Sequence, residues 1–235
     1  TGLLERGCAL DIFGMARGED ATVHPDVERY GLLARDRHLH APRSRSRRTL
    51  VALGQLLRPY AWHRGTLDAL DLRRYGQDAL KLEKLYTTLS FLKQRPYDLL
   101  HAHFGELGLV GLELRRRGVF RGKLVTAFRG ADITRTLRRT PGMYAELARE
   151  GDLFLPISEF FKAKLVAEGC DPDRIVVLRD GIDLGRFAFR ARSRAEGEPT
   201  RLLFVGRLEE KKGVFFALEA VAAAVAAACV LAFFL

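Results

Sequence analysis

The sequence predicts an α/β fold in which helices cover both faces of a doubly wound parallel sheet. Short runs rich in β-branched and aromatic residues alternate along the chain with longer helical patterns. Most of these short runs show no polar alternation, as expected of parallel strands that are buried on both faces. A polar stretch at residues 191–200, followed by a new strand and helix, predicts that a second α/β domain begins near residue 201.

Six runs are predicted as strands because they are short, apolar and bounded by glycine, proline or charged residues. They cover residues 8–13, 98–103, 123–128, 152–157, 174–178 and 201–205. One helix is predicted at residues 76–94, where it stops before Pro96. Another extends from Ser158, a natural N-cap, to Gly169, a natural C′ residue.

The predicted organisation is a first domain at residues 1–190, a linker at 191–200 and the start of a second domain at 201–235. In the last part, residues 214–235 carry Glu219 as their only charged residue. We predict a helix to about residue 228 and then a strand at residues 229–235, because this continues the βαβ order. A transmembrane segment is the alternative, since the run is long enough to cross a bilayer.

Composition favours a protein of a reducing compartment with anionic partners. The 235 residues are 48% hydrophobic, enough for one core and part of a second, and their formal net charge is +10. Three widely spaced cysteines without a CxxC motif argue against a disulfide framework or a zinc site. The chain opens with neither an initiator methionine nor a basic-then-apolar secretion signal.

The densest basic block, residues 34–48, is predicted to be a solvated loop. It contains no interleaved aromatic residues for base stacking, which argues against a nucleic-acid site. The alternative is a basic surface that faces a membrane or a saccharide acceptor.

The strongest candidate for a binding site is the turn GRLEEKKG at residues 206–213, directly after the sixth predicted strand. Gly206 permits a sharp turn and the close approach of a ligand, and Arg207 offers a planar fork of donors that matches phosphate oxygens. Lys212 adds a second cation beside the N–H groups that start the next helix. This motif predicts a diphosphate site without a metal ion. The alternative is a surface turn whose glutamates pair with its cations.

Further candidates lie at predicted strand ends. His101 and His103 are two residues apart on a strand and point to one face, where they either ligate a metal or pack with hydrogen bonds. No third ligand is close in sequence.

Ser158 lacks a nucleophile-elbow motif, and N-capping explains it. Asp132 and Asp183 are suited to turns.

The segment LLFVGRLEEKKGV resembles the signature that opens the second domain of GT-B glycosyltransferases of family 4. Further segments follow in the family's order, namely LLERGCALDIF, DLLHAHFG, LVTAFRGADIT, DLFLPISEFFKAKL and IVVLRDGIDLGRF. They are most similar to bacterial exopolysaccharide glycosyltransferases of the colanic acid and amylovoran type. The resemblance implies a GT-B fold: a Rossmann-like first domain and the opening β-α unit of a second one.

The resemblance also implies roles for residues in three groups. These are Gly206, Arg207 and Lys212 at the donor diphosphate, Arg129 and Asp132 at the catalytic centre, and His103, Gly130 and Ser158 on the cleft or acceptor side. Arg129 departs from the family's pattern, because the family usually has histidine at this position of the segment LVTAFRGADIT. No metal ion and no cofactor besides the nucleotide-sugar donor are expected.

The resemblance implies a retaining glycosyltransferase that moves a hexose from a UDP- or GDP-sugar to a growing, lipid-linked saccharide in exopolysaccharide or cell-envelope synthesis. We expect it in the cytoplasm, in peripheral contact with the inner face of the plasma membrane. The family's opening strand and its ExFGxxxxE segment are not found in the chain, so we expect a fragment that transfers no sugar alone. The alternative is a non-catalytic basic α/β module that binds a membrane surface or an anionic polymer.

Overall fold

The computed structural model describes residues 2–14, 24–38, 41–42, 44–94, 96–185, 187–191, 193 and 197–234. The chain divides into two compact units, Thr1–Gly181 and Ile182–Leu235. The described part of the predicted linker contains neither helix nor strand, and the predicted domain boundary at residue 190 stays a prediction.

Parallel strands form two sheets in the described part of the first unit. The smaller sheet pairs β1 (Ile12–Gly14) with β2 (Asp36–His38), and the larger has β4 (Lys123–Phe128) between β3 (Leu99–His103) and β5 (Leu153–Pro156). In register, His103 lies opposite Ala127 and Phe128 lies opposite Pro156. The carboxyl ends of all three strands therefore meet at one edge of the larger sheet, and the predicted α/β fold class is confirmed.

The strands predicted at residues 98–103, 123–128 and 152–157 are confirmed to within one residue at each end. The strand predicted at residues 8–13 is displaced towards the carboxyl end, since only Ile12–Gly14 pairs with β2. Residues 174–178 form no regular strand, but Ile175 bridges to Phe154 and the following residues donate backbone hydrogen bonds to β5. This segment therefore runs parallel to β5 and extends the larger sheet.

Helices connect and flank the strands. Their bounds are α1 Gly2–Glu5, α2 Pro25–Arg29, α3 Arg45–Leu56, α4 Arg64–Ala69, α5 Leu72–Tyr75, α6 Gln77–Leu80, α7 Glu83–Leu92, α8 Gly105–Arg116, α9 Leu137–Arg139, α10 Ala145–Glu150, α11 Glu159–Ala167 and α12 Val214–Phe234. A π-helix, Asp132–Thr136, follows β4. The loop predicted at residues 34–48 is wrong for residues 34–38 and 45–48, which lie in a short 3-10 helix, in β2 and in α3, whereas residues 41, 42 and 44 have no regular structure. Arg45 and Arg47 are exposed, as predicted for a solvated segment.

The single helix predicted at residues 76–94 is divided into α6 and α7. The two helices separate at Leu82, whose φ of 57° lies in the left-handed region. A leucine in this conformation is strained, so the surrounding packing has to stabilise it. Leu82 packs against a cluster that includes Leu85 and Leu89. The apolar spacing continues across the break, and for this reason the sequence pattern predicted one helix.

Among the described residues, two hydrophobic clusters hold the first unit together. The larger cluster contains fully buried residues of the β3–β5 sheet and its helices, among them Leu124, Phe128, Tyr144, Leu147 and Phe154. The smaller cluster joins α3, α4 and α7. Burial of one such large side chain contributes roughly 1.5–3 kcal/mol. The larger cluster therefore holds the carboxyl edge of the sheet in a defined geometry.

In the second unit, the strand predicted at residues 201–205 is wrong: the segment has no regular structure, and Leu203 is 89% exposed. A strand needs a partner to complete its hydrogen bonds, and the described part of this unit contains no other strand. The strand predicted at residues 229–235 is wrong as far as the chain is described, because α12 continues to Phe234. Alanine favours a helix here, and no turn residue interrupts it.

The hydrophobic C-terminal segment had suggested a transmembrane alternative. Within the described residues, no helix combines the length and the apolarity that crossing a membrane requires.

Candidate functional site

The larger sheet brings sequence-predicted site residues of the first unit to its carboxyl edge. His103 is the last residue of β3, Arg129 and Gly130 follow β4, and Ser158 follows β5. Ligands of open α/β sheets bind outside the carboxyl ends of the strands. We name this region the edge site and define it by His103, Arg129, Gly130, Asp132 and Ser158.

Asp132 is the most buried of these residues, with 2% of its surface exposed. Its Oδ1 accepts a hydrogen bond from the Gly130 N–H at 2.8 Å. Its Oδ2 accepts from the N–H groups of Gly105 at 3.3 Å and Arg129 at 3.4 Å. The hydroxyl of Tyr144 donates to its backbone carbonyl at 3.2 Å. The Asp132 carboxylate therefore ties the loop after β4 to the start of α8, with both oxygens engaged by backbone donors.

Phe104 and Gly105 join β3 to α8 in a conformation that sequence analysis missed. Phe104 has a φ of 80°, which is rare for a residue with a side chain, and its N–H donates to the Ala127 carbonyl at 2.8 Å. A Cβ on Gly105 would lie 2.5 Å from the Tyr144 ring and 2.6 Å from the Phe128 ring. Only glycine fits between this strand end and the buried rings, and glycine after a strand is the signal that could have predicted it.

Arg129 forms an ion pair with Asp180, a residue that sequence analysis did not single out. The two residues are 51 positions apart in the chain. Both side chains are partly exposed, so the pair contributes little to stability. Its effect is to hold the guanidinium at the edge site. Asp180 follows the predicted strand at residues 174–178, and that position was the signal that could have placed it at this edge.

His101 and His103 stack at the end of β3, with ring centroids 4.5 Å apart. Burial, followed by the charges of His103 and Arg129, lowers the pKa of His101. Burial and the charge of Arg129 lower the pKa of His103. Both imidazoles are therefore neutral near pH 7. Over the described part of the chain, no group of three or more potential ligands could hold a metal ion.

Replacing Arg129 with glutamine is expected to raise the pKa of His103, because the substitution removes a positive charge that disfavours the imidazolium. The pKa is measured from the imidazole proton shifts in an NMR titration. Arg179→Gln is the matched control, since it removes the same charge from an exposed position next to Asp180 and no change is expected. An unchanged His103 pKa in Arg129→Gln would contradict the placement of Arg129 beside the histidines.

The lowered histidine pKa values also determine how stability depends on pH. An unfolded histidine titrates at about pH 6.5, above the pKa of these two in the folded protein. As the pH falls through this range, the unfolded chain binds more protons than the folded chain does. The free energy of unfolding therefore decreases on acidification below about pH 6.5.

Ser158 is confirmed as the N-cap of α11. Its Oγ accepts a hydrogen bond from the Phe161 N–H at 3.3 Å, and its backbone is extended. Gly169, with a φ of 90°, follows the other end of the helix, which confirms the predicted C′ residue. Capping accounts for the Ser158 hydroxyl, and its predicted place on the acceptor side stays a prediction.

The turn at residues 206–213 in the second unit gathers the cations that the sequence predicted. Gly206 and Lys212 are adjacent, because a Cβ on Gly206 would lie 3.8 Å from the Cβ of Lys212. Gly213 has a φ of 69° and directly precedes α12. The Lys212 side chain makes no ion pair with an acidic residue of the described chain.

Glu209 lies between two of these cations. Its Oε1 is 3.0 Å from Arg207 Nη1, and its Oε2 is 3.1 Å from Lys211 Nζ. The hydrogen bond from Lys211 is the main cause that lowers the pKa of the Glu209 carboxyl. The turn therefore has the predicted cluster of cations. It also contains ion pairs between Glu209 and two of these cations, which the alternative interpretation, a surface turn, predicts.

Comparison with known proteins identifies the class to which this fold and site belong. The family described as Glycosyltransferase Family 4 matches residues 1–186, so the chain belongs to glycosyltransferase family 4. The resemblance inferred from the sequence motifs is confirmed.

Three curated proteins are similar to the chain over 94% of its length. A protein named as a colanic acid biosynthesis glycosyltransferase, WcaL, is 35% identical in Salmonella typhimurium strain LT2 and 34% identical in Escherichia coli strain K12. A protein named as an amylovoran biosynthesis glycosyltransferase, AmsK, from Erwinia amylovora is 33% identical. The chain spans 54% of the length of each of these relatives.

Proposed function

We propose that the protein takes part in a glycosyltransferase reaction of exopolysaccharide or cell-envelope synthesis. In this reaction a hexose moves from a UDP- or GDP-sugar to a growing, lipid-linked saccharide with retention of configuration. The observation that carries the proposal is the family 4 match over residues 1–186, the region that contains the edge site. The names of the similar WcaL and AmsK proteins support the choice of exopolysaccharide synthesis.

In the second unit, Arg207 and Lys212 would bind the donor diphosphate. The planar fork of Arg207 matches pairs of phosphate oxygens, and Lys212 adds a compact charge. Both would stabilise the diphosphate as it departs and the anomeric carbon gains positive character. Since these cations supply the positive charge, the proposal includes no metal ion.

In the first unit, we assign Asp132 a positioning role in place of the predicted catalytic one, because backbone N–H groups engage both of its oxygens. Arg129 is better placed to contact a ligand: its side chain is 39% exposed, and its five donors exceed what Asp180 accepts. The neutral imidazole of His103 could accept a hydrogen bond from a sugar hydroxyl. Gly130 leaves room for a ligand, with nothing within 4 Å of a Cβ built there.

We place this activity in the cytoplasm, on the inner face of the plasma membrane. That the 235-residue chain transfers no sugar by itself stays a prediction. A panel of UDP- and GDP-hexoses with lipid-linked acceptors tests it, and turnover by the purified chain would contradict it.

Replacing Arg207 with alanine is expected to weaken the binding of UDP or GDP by about 1.5–3 kcal/mol, because a charged hydrogen-bond donor to the phosphates is lost. This corresponds to roughly 10- to 150-fold in the dissociation constant. Isothermal titration calorimetry measures the change. Glu209→Gln is expected to strengthen binding, since it removes a carboxylate that competes with the diphosphate for Arg207 and Lys211.

Arg201→Ala is the matched control, because it removes another exposed arginine from the same unit. Its nucleotide affinity is expected to equal that of the unmodified protein. Equal affinity in the Arg207→Ala variant would reject the diphosphate assignment. If neither UDP nor GDP bound, the non-catalytic basic module would become the better account.

A further inference from the structure

α3 presents a row of leucines to solvent on a different side from its core contacts. Leu50, Leu53 and Leu57 have the i, i+3, i+7 spacing that places residues on one side of a helix, and they are 70%, 56% and 82% exposed. The core contacts of α3 are made by Ala52 and Leu56. The exposed leucines therefore do not belong to the side of α3 that packs into the core.

Trp62 is a further exposed apolar residue, five positions after Leu57 in the chain. It follows the short helix Pro59–Ala61 and is 84% exposed. Isolated exposed apolar residues are normal, but five large ones lie between residues 50 and 62, namely Leu50, Val51, Leu53, Leu57 and Trp62. Tryptophan is enriched where proteins meet the boundary between lipid and water, because its ring is apolar and its N–H is polar.

The segment that carries this surface has positive charges and no negative ones. Residues 37–67 contain seven arginines and no aspartate, glutamate or lysine. Arg45 and Arg47 lie exposed in the first turn of α3, and no acidic side chain of the described residues pairs with them. Positive charges at this end of a helix oppose its dipole. An external anionic partner would offset this unfavourable arrangement.

We propose that the α3 surface docks on the headgroup region of an anionic lipid bilayer. The α3 surface is defined by Arg45, Arg47, Leu50, Leu53, Leu57 and Trp62. Its leucines and tryptophan enter the boundary between headgroups and acyl chains, and its arginines contact lipid phosphates. Arg47 precedes Leu50 by three residues and so lies near the leucines, and Arg45 lies exposed at the start of the helix. Exposed leucines together with arginines that no described carboxylate pairs with are the combination that binds such a surface.

A second copy of the chain fits this surface poorly. A twofold contact would place the same patch of each copy against the other, so the arginines of both copies would share one interface without a carboxylate from this segment. Like charges that face each other across an interface are unfavourable. An anionic bilayer supplies negative charge for Arg45 and Arg47 and an apolar layer for the leucines at the same time.

The inference deepens the proposed membrane location, and it is tested without a sugar donor. Vesicle binding and nucleotide binding are separate measurements on different units, so the failure of one leaves the other unaffected. The protein is mixed with vesicles of phosphatidylcholine alone or of phosphatidylcholine with phosphatidylglycerol, and bound protein is separated by flotation. We expect binding to the vesicles that contain phosphatidylglycerol, and weaker binding as the salt concentration rises.

Two variants test the α3 surface directly. Leu50→Gln with Leu53→Gln and Leu57→Gln is expected to lower the vesicle partition coefficient at least about tenfold, because apolar area no longer enters the bilayer. Arg45→Gln with Arg47→Gln is expected to lower it roughly thirtyfold at low salt. The arginine variant alters no apolar residue. If circular dichroism shows that the leucine variant fails to fold, the vesicle binding of the arginine variant therefore tests the proposal.

Matched controls replace the same residue types elsewhere in the first unit. Leu72→Gln with Leu80→Gln changes leucines that are 55% and 68% exposed, and Arg73→Gln with Arg121→Gln removes two exposed arginines. Neither control is expected to change vesicle binding by more than about twofold, since surface substitutions away from the contact have small effects. A loss in the controls as large as in the α3 variants would overturn the proposal, because binding would then depend on overall charge or apolarity.

α12 carries another exposed apolar surface that could bind vesicles. Phe215→Gln with Phe216→Gln replaces two side chains that are each 72% exposed on this helix. We expect this variant to keep most of its vesicle binding. The proposal is overturned if the α12 variant loses binding while the α3 variants keep it. It is also overturned if the α3 residues support dimerisation in analytical ultracentrifugation and no vesicle binding.

Discussion

Replacing Asp132 with alanine is expected to lower the free energy of unfolding of the first unit by about 3–5 kcal/mol. The side chain is 2% exposed, and its carboxylate accepts hydrogen bonds from the N–H groups of Gly105, Gly130 and Arg129. Alanine would leave these donors without their acceptor in a site that water hardly enters. Urea denaturation followed by circular dichroism measures the loss.

Two further variants separate this effect from the general loss of an aspartate. Asp132→Asn keeps one acceptor oxygen but sets an amide NH₂ against backbone donors, so we expect an intermediate loss of about 2 kcal/mol. Asp71 caps α5 by accepting from the N–H groups of Arg73 and Arg74 on the protein surface. Asp71→Ala is expected to cost about 1 kcal/mol. Equal losses in Asp132→Ala and Asp71→Ala would contradict the positioning role of Asp132.

Replacing Gly105 with alanine is expected to lower the free energy of unfolding by about 3 kcal/mol, because the added methyl group overpacks a filled region. The new Cβ would lie 2.5 Å from the Tyr144 ring and 2.6 Å from the Phe128 ring. Both rings are fully buried and meet edge to face, with centroids 5.4 Å apart, so neither can move aside without cost. The same urea measurement applies.

Gly54→Ala is the matched control for this substitution. Gly54 lies inside α3, and nothing is within 4 Å of a Cβ built on it. Alanine in an open helix interior is expected to stabilise the protein by about 0.5–1 kcal/mol. The close approach at Gly105 would be disproved by a Gly105→Ala variant as stable as the unmodified protein.

Much of the edge site could be predicted from the sequence. The apolar, β-branched runs that became β3, β4 and β5 are local features, and parallel strands place their carboxyl ends together. The positions of His103, Arg129 and Ser158 at this edge follow from those strand ends alone. The Ser158 cap and Gly169 were predictable for the same reason, since capping depends on residues within one helical turn.

The second unit shows where local sequence is insufficient. Residues 201–205 have the composition of a buried strand, yet they form none. Strand formation depends on a partner that local composition cannot supply. In α12 the predicted change from helix to strand did not occur, because an alanine-rich run without a turn residue continues as a helix.

The sequence by itself determined the family, the α/β class and the strand ends that form the edge site, because motifs and apolar periodicity are local. Only the tertiary structure decided which groups each side chain contacts there. The ion pair of Arg129 with Asp180 joins residues 51 positions apart, and the hydrogen bond from Gly105 to Asp132 spans 27. Such contacts depend on strand register and on packing of the whole core, which no short segment of sequence specifies.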